Sequence, residues 1–149
     1  MGRLVRLVNW WLDREEINGG GVCPTYMVRW CLLGTPWCKV YVHRFVGDDW
    51  ARDPHDHPKR FFSIGLWGSY IEERYSVTGE KVADVRWRAP WVRSFAASHI
   101  HRIRATETGG AVTLVIVGRV QRRWGFWLRG AWVPWDRYVP VFGRSRKDC

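Results

Sequence analysis

The feature that bounds the fold most tightly is a succession of short β-like runs separated by glycine and proline. Val22 to Leu33 is rich in strand formers, and Gly34-Thr35-Pro36 turns it. Lys39 to Val46 then alternates, with Tyr41, His43 and Phe45 on one face and Val40, Val42 and Arg44 on the other. Phe61 to Trp67 is an apolar strand that stops at Gly68, where Ser69 to Tyr75 is expected to turn back antiparallel. Thr78-Gly79-Glu80 makes the next turn. Val82 to Trp87, Trp91 to Phe95, His99 to Arg104 and Ala111 to Val120 follow, with Gly109-Gly110 as a hairpin turn. Trp124 to Leu128, Gly130 and Trp132-Val133 complete the set. This pattern predicts an all-β barrel or jelly roll.

A chain of 149 residues supports one domain with one core. The expected domain is 1–149, with its core at about 22–139 and a frayed tail at 143–149. Residues 3–14 fit a helical face and a strand equally well, and Asn18-Gly19-Gly20-Gly21 reads as a loop. No stretch approaches eighteen consecutive apolar residues, and Met1 to Trp11 lacks the apolar region and cleavage site of a signal peptide. The expectation is a cytoplasmic protein with no membrane partner. Cys23, Cys31, Cys38 and Cys149 form no zinc or disulfide framework and read as free thiols, although Cys31 and Cys38 flank a turn and could approach each other.

The net charge is +10, and 20 of the 24 basic residues are arginine. Charge of this size bears on solubility and polyanion attraction, not on fold. It fits either a solvated basic face or a partner that is a nucleic acid or an anionic substrate. Twelve tryptophans, several alternating with arginine, keep the second reading open. The aromatics between Arg122 and Tyr138 could stack bases, but they suit barrel packing or a homodimer interface better.

The chemistry concentrates in the histidines. His55 and His57 are two residues apart, so in an extended segment both rings leave one face, and Asp56 points the other way. Neutral imidazoles converging on one point suit a divalent transition metal. Pro54 and Pro58 flank the pair and restrict its backbone, which preorganises it. His99 and His101 repeat the spacing downstream, and spacing alone leaves open which of them would join the first pair. Four of the five histidines thus lie in two His-x-His pairs. Asp53 and Asp56 either orient imidazole N–H groups or cap the turns around Pro54. Tyr70 and Glu72 share a strand face, so Tyr70 could hydrogen-bond a substrate and Glu72 could act as acid, base or reserve ligand. Arg86, Arg88 and Arg93, around Trp87 and Trp91, are candidates for an anion site.

His55-Asp56-His57, an apolar strand, and a glycine eleven residues past the second histidine together resemble the first motif of the cupins. The later His101-Arg102-Ile103 resembles their second motif, and both resemble the thiol (cysteine) dioxygenases in particular. With the Trp-Gly-Phe and Gly-x-Trp-Val-Pro-Trp stretches, the pattern is also similar to a group of cupin-like proteins of bacteria and phages. The resemblance runs from about Trp30 to Tyr138. It implies a cupin-like antiparallel β-barrel, a double-stranded β-helix or jelly roll, with a metal in its mouth. It also departs from the typical pattern. Phe61 and Phe62 stand where cupins carry a glutamate, and the Pro-x-Gly and Asn of the second motif are missing.

The resemblance therefore implies a three-histidine site, His55, His57 and His101, with His99 in support or at the surface. The expected cofactor is a divalent metal, Fe(II) first, with Zn, Ni or Mn as other occupants. The expected function is a non-haem iron oxygenase acting on a small polar substrate. Two alternatives stand beside it: a metal-dependent isomerase or lyase, and a non-enzymatic module binding nucleic acid or protein. For a phage-encoded chain the compartment would be the host cytoplasm.

Overall fold

The structure, a computed structural model, describes residues 14–17, 24–49 and 53–138, excluding the side chains of 105–108. The expectations for residues 3–13, the loop at 18–21, the tail from 143, Cys23 and Cys149 lie outside the described residues.

In chain order the strands are β1 (Arg14–Ile17), β2 (Met27–Gly34), β3 (Lys39–Phe45), β4 (Lys59–Tyr75), β5 (Lys81–Arg88), β6 (Trp91–Phe95), β7 (His101–Val120), β8 (Gly125–Leu128) and β9 (Ala131–Pro134). A 3-10 turn, Trp135–Arg137, follows. Among the described residues every ladder is antiparallel. The sheet order is β1-β2-β3-β7-β4-β5, with β6 also on β4, and β8 and β9 form a separate hairpin. This is the all-β barrel that the spacing of short strands predicts.

Two long strands close the barrel. The first half of β4 pairs with β6 and the second half of β7, and its second half pairs with β5 and the first half of β7. Each long strand thus passes from one sheet to the other, as corner strands do in packed sheets. Here the structure corrects two expectations, the reversal at Gly68 and the hairpin at Gly109-Gly110. Both are bends inside continuous strands, because each glycine has partners on both sides that carry the chain onward. Gly68 (φ 75) lies opposite Ala111, and Gly110 has φ 86. A Cβ on Gly68 would stand 2.0 Å from the Gly110 carbonyl oxygen, and one on Gly110 would stand 2.1 Å from that of Phe45. The two glycines let three backbones crowd together at the corner.

Alternation sets the interior. Tyr41, His43 and Phe45 of β3 share the inner wall with Met27 and Arg29 of β2, Phe61 and Ser63 of β4, and Thr113, Val115 and Val117 of β7. Tyr26, Met27, Phe45, Tyr70, Ile103 and Ala111 form a buried apolar cluster, with Trp87 and Trp91 packed against it. Each large apolar side chain in it contributes about 1.5–3 kcal/mol by leaving water. The barrel is not filled, and a cavity of about 360 Å³ remains inside.

The aromatic segment near the end packs more than it projects. Phe126 stacks on Tyr138 with ring centroids 3.7 Å apart, and Trp124 stacks on Trp135 at 6.2 Å. Trp135 still keeps a largely exposed edge. Cys31 and Cys38 are free, each with its sulfur near a neighbouring carbonyl oxygen rather than the other thiol. Among the described residues, no helix is long and apolar enough to cross a membrane.

Candidate metal centre

The segment from Asp53 to His57 is stitched in from both sides. His55 and His101 exchange backbone hydrogen bonds at 3.1 Å each, and His55 also bridges Phe126 of β8. Trp127 N–H donates to the Pro54 carbonyl at 2.8 Å, and His57 N–H donates to that of Ala97 at 2.9 Å. Asp56 is fully buried; its Oδ1 accepts from the Gly125 N–H at 2.8 Å. An Arg122 guanidinium nitrogen lies 2.8 Å from Oδ2, an ion pair rather than an aligned hydrogen bond. Burial pushes the Asp56 pKa up, against the pull of Gly125 and Arg122. Asp53 accepts from the Tyr138 hydroxyl at 2.9 Å, and its own N–H donates back to that oxygen. Both aspartates therefore anchor the histidine segment to later parts of the chain.

On this frame His55, His57 and His101 converge, each offering one ring nitrogen, with all three nitrogens within 4.8 Å of one another. The Nε2 atoms of His57 and His101 are 2.9 Å apart, a separation that only a shared proton or a shared cation makes favourable. The outer nitrogens are tied down. His55 Nδ1 donates to the Asp53 carbonyl at 3.3 Å, and His101 Nδ1 donates to Glu72 Oε1 at 2.9 Å. A carbonyl and a carboxylate can only accept, so both rings carry a proton on Nδ1, which leaves Nε2 as the nitrogen for a ligand bond. This donor set, three imidazoles of which two have Nδ1 fixed as the donor, fits a divalent transition metal.

Glu72 is the residue whose role the structure reshapes. Its carboxylate is wholly buried and accepts from five donors: His99 Nε2 at 2.6 Å, His101 Nδ1 at 2.9 Å, Trp87 Nε1 at 2.9 Å, Arg74 Nε at 3.0 Å and Arg93 at 3.3 Å. Burial alone would raise its pKa, but the hydrogen bonds from His101, His99 and Trp87 outweigh it and hold Glu72 below the usual carboxylate range. It does not line the cavity. An ionised carboxylate with its acceptor sites filled orients His101 and has no capacity left to shuttle protons with a molecule in the barrel. Glu72, His99 and His101 also satisfy the spacing of a metal group. Arg74 and Arg93 already bring positive charge to that carboxylate, so a cation there would be repelled.

The two downstream histidines now separate. His101 opens β7 and belongs to the inner trio, while His99 sits in the turn before it, outside that trio, with its Nε2 bonded to Glu72 and its ring 5.1 Å from that of His101. Burial lowers the His99 pKa more than Glu72 raises it. Tyr70 lines the cavity beside Phe45, and burial keeps its hydroxyl protonated well above the usual range. The three candidate arginines do not come together. Arg93 turns inward onto Glu72 and lies over Trp87 at 4.4 Å, whereas Arg86 and Arg88 occupy the exposed face of β5. Sequence reasoning missed Trp87 and Arg74 as partners of Glu72. The only trace of that cluster was the inward parity of Tyr70 and Glu72.

No protein-family model matches the sequence, and no curated protein matches it. Solved structures do. An RmlC-like cupin from Shewanella frigidimarina matches with a TM-score of 0.54 at 14% identity, over 82% of this chain and 97% of that one. KdgF from Halomonas sp. matches at 0.52 and 18%, over 80% and 96%. The Fe(II) form of HppE matches at 0.55 and 18%, over 70% of this chain and 56% of its own, so this chain spans little more than half of HppE. The bent β4 and β7, the histidine trio at the cavity wall and these likenesses lead to one statement: the protein has the cupin fold.

Proposed function

We propose that the protein is a metal-dependent enzyme, a non-haem Fe(II) oxygenase, acting on a small polar molecule held in the barrel cavity, with His55, His57 and His101 as metal ligands. The observation that carries this reading is the convergence of three ring nitrogens on one side of an interior cavity, two of the rings locked in the ligating tautomer. Iron is favoured over other metals by the likeness to HppE, whose structure holds Fe(II). Bound there, the metal would supply Lewis acidity and, as Fe(II), one-electron chemistry with O2.

The chain's own groups do the rest. Glu72 holds the proton at His101 Nδ1, and the Asp53 carbonyl holds that at His55 Nδ1. Tyr70 offers a permanently protonated hydroxyl at the cavity wall. Phe61, Phe95 and Trp124 line the cavity near the histidines and make that part of its wall apolar.

The test is anaerobic purification followed by elemental analysis and oxygen uptake. About one iron per chain and substrate-dependent O2 consumption are expected. A chain that takes up no Fe, Zn, Ni or Mn would end the reading. Stoichiometric metal with no oxygen chemistry would move it to the lyase or isomerase class. A second reading, nucleic-acid binding, is favoured by the exposed Trp37 with Arg119 over its ring at 5.7 Å, on a chain of charge +10. Affinity for single-stranded DNA falling steeply with salt, without metal, would support it.

A further inference from the structure

His43 and Thr113 face each other across the β3–β7 ladder, and both line the cavity that His55, His57 and His101 share. His43 as a whole is half-buried, but solvent does not reach its Nε2; Thr113 is 2% exposed. Neither His43 Nε2 nor Thr113 Oγ1 has a hydrogen-bond partner. Buried polar groups in proteins are almost always bonded, and two adjacent orphans in one cavity wall mark a place where something else completes the bonding.

The surroundings narrow what that is. Met27, Phe45 and Val115 make the nearby wall apolar. Arg29, paired with His43 across β2 and β3, holds Glu15 with its guanidinium at 2.6 to 2.7 Å, so only part of its positive charge acts on His43. Burial, helped by the Arg29 charge, lowers the His43 pKa to about 3 and leaves the ring neutral. An anionic group would lose its hydration here for little return. A neutral hydroxyl suits both orphans, since it can donate to one and accept from the other.

Position adds a length. Phe61 pairs with Val117 and its ring lies 4.8 Å from that of His57, which marks the level of the histidine trio. Thr113 is four residues further along β7, roughly 13 Å of strand. Side chains reaching in from both ends leave room for a short aliphatic stem between the two polar regions.

We propose that His43 and Thr113 form a subsite for a neutral hydroxyl group, so that the substrate is a small aliphatic molecule with a chelating head at the three histidines and a hydroxyl at its far end. This rests on the metal reading for the head group only. The probes are ω-hydroxycarboxylates of about three to six carbons, with the matching carboxylates that lack the hydroxyl. Affinities are measured by isothermal titration on the metal-loaded wild type, Thr113→Val, Thr113→Ser and His43→Phe, with metal content assayed on every sample.

At one chain length the hydroxylated probe should bind the wild type about ten-fold or more tightly than its partner. That preference should fall to about two-fold or less in Thr113→Val and His43→Phe, and persist in Thr113→Ser. A trapped water alone would satisfy both orphans and give no such preference. Absence of preference at every length, or a preference that survives both substitutions, overturns the subsite. If metal stays near one per chain in that case, the metal reading stands without it; if the wild type holds no metal, both fall.

Discussion

At the scale of single residues, the site is a matter of which ring nitrogen faces which acceptor. His101 is fixed by Glu72 on one side and turns the other nitrogen to His57. His101→Ala should therefore abolish stoichiometric metal binding, as should His55→Ala and His57→Ala, each read by elemental analysis of folded protein. Glu72→Gln keeps the shape but loses the carboxylate that fixes the tautomer, and should lower metal affinity about 10–100-fold. His99→Ala should give a smaller loss, because Glu72 keeps its other four donors. Competition titration with a chelator of known affinity measures both. Undiminished affinity in Glu72→Gln would detach Glu72 from the metal site.

At the scale of elements, β4 and β7 carry the architecture, and their bend is the sensitive place. Gly68→Ala puts a Cβ at positive φ and against the Gly110 carbonyl. It should cost about 1–3 kcal/mol of stability in urea unfolding, and a cost below about 0.5 kcal/mol would mean the corner relaxes freely. The outer side of the same two strands holds a second carboxylate. Glu73 is buried and takes hydrogen bonds from Tyr75, Arg102 and Lys81. Burial alone would raise its pKa, but these bonds and the Arg102 charge outweigh it and hold Glu73 below its ordinary 4.5. A carboxylate lowered in the folded state adds stability that is complete above pH 4.5 and disappears as pH falls through the folded value. The wild type should thus exceed Glu73→Gln by about 1–3 kcal/mol at pH 7, with the gap closing in acid. A gap that did not change with pH would place the effect in packing instead.

For the whole molecule, the cavity and the metal link function to stability. A metal bound only by the folded chain adds about 2.7 kcal/mol at a free concentration a hundred times its Kd. Added Fe(II) or Zn(II) should raise the thermal midpoint by several degrees in the wild type, an effect reversed by chelation and missing from His57→Ala. An equal rise in His57→Ala would point to ions held elsewhere. The three strands of the inner wall that line the hydroxyl subsite also frame the cavity, so ligands that fill it should stabilise through the same linkage.

Much of this was legible in the chain. Period-two alternation in β3 put Tyr41, His43 and Phe45 on one face, because a strand's side chains can only alternate, and the barrel made that face the inner one. The flanking prolines and the His-x-His spacing marked the segment that brings His55 and His57 together, since both are local properties of the backbone. What the sequence could not decide was long-range. Whether a glycine ends a strand or bends it depends on partners dozens of residues away, which is why Gly68 and Gly110 read as turns. His99 and His101 are equivalent by spacing. Glu72, on a strand 29 residues before His101, separates them by holding both rings while only His101 also faces His55 and His57. The lone pairs of His43 and Thr113 became conspicuous only when the ladder set them side by side in a cavity, because a missing hydrogen-bond partner is a property of the packed interior and has no signature along the chain.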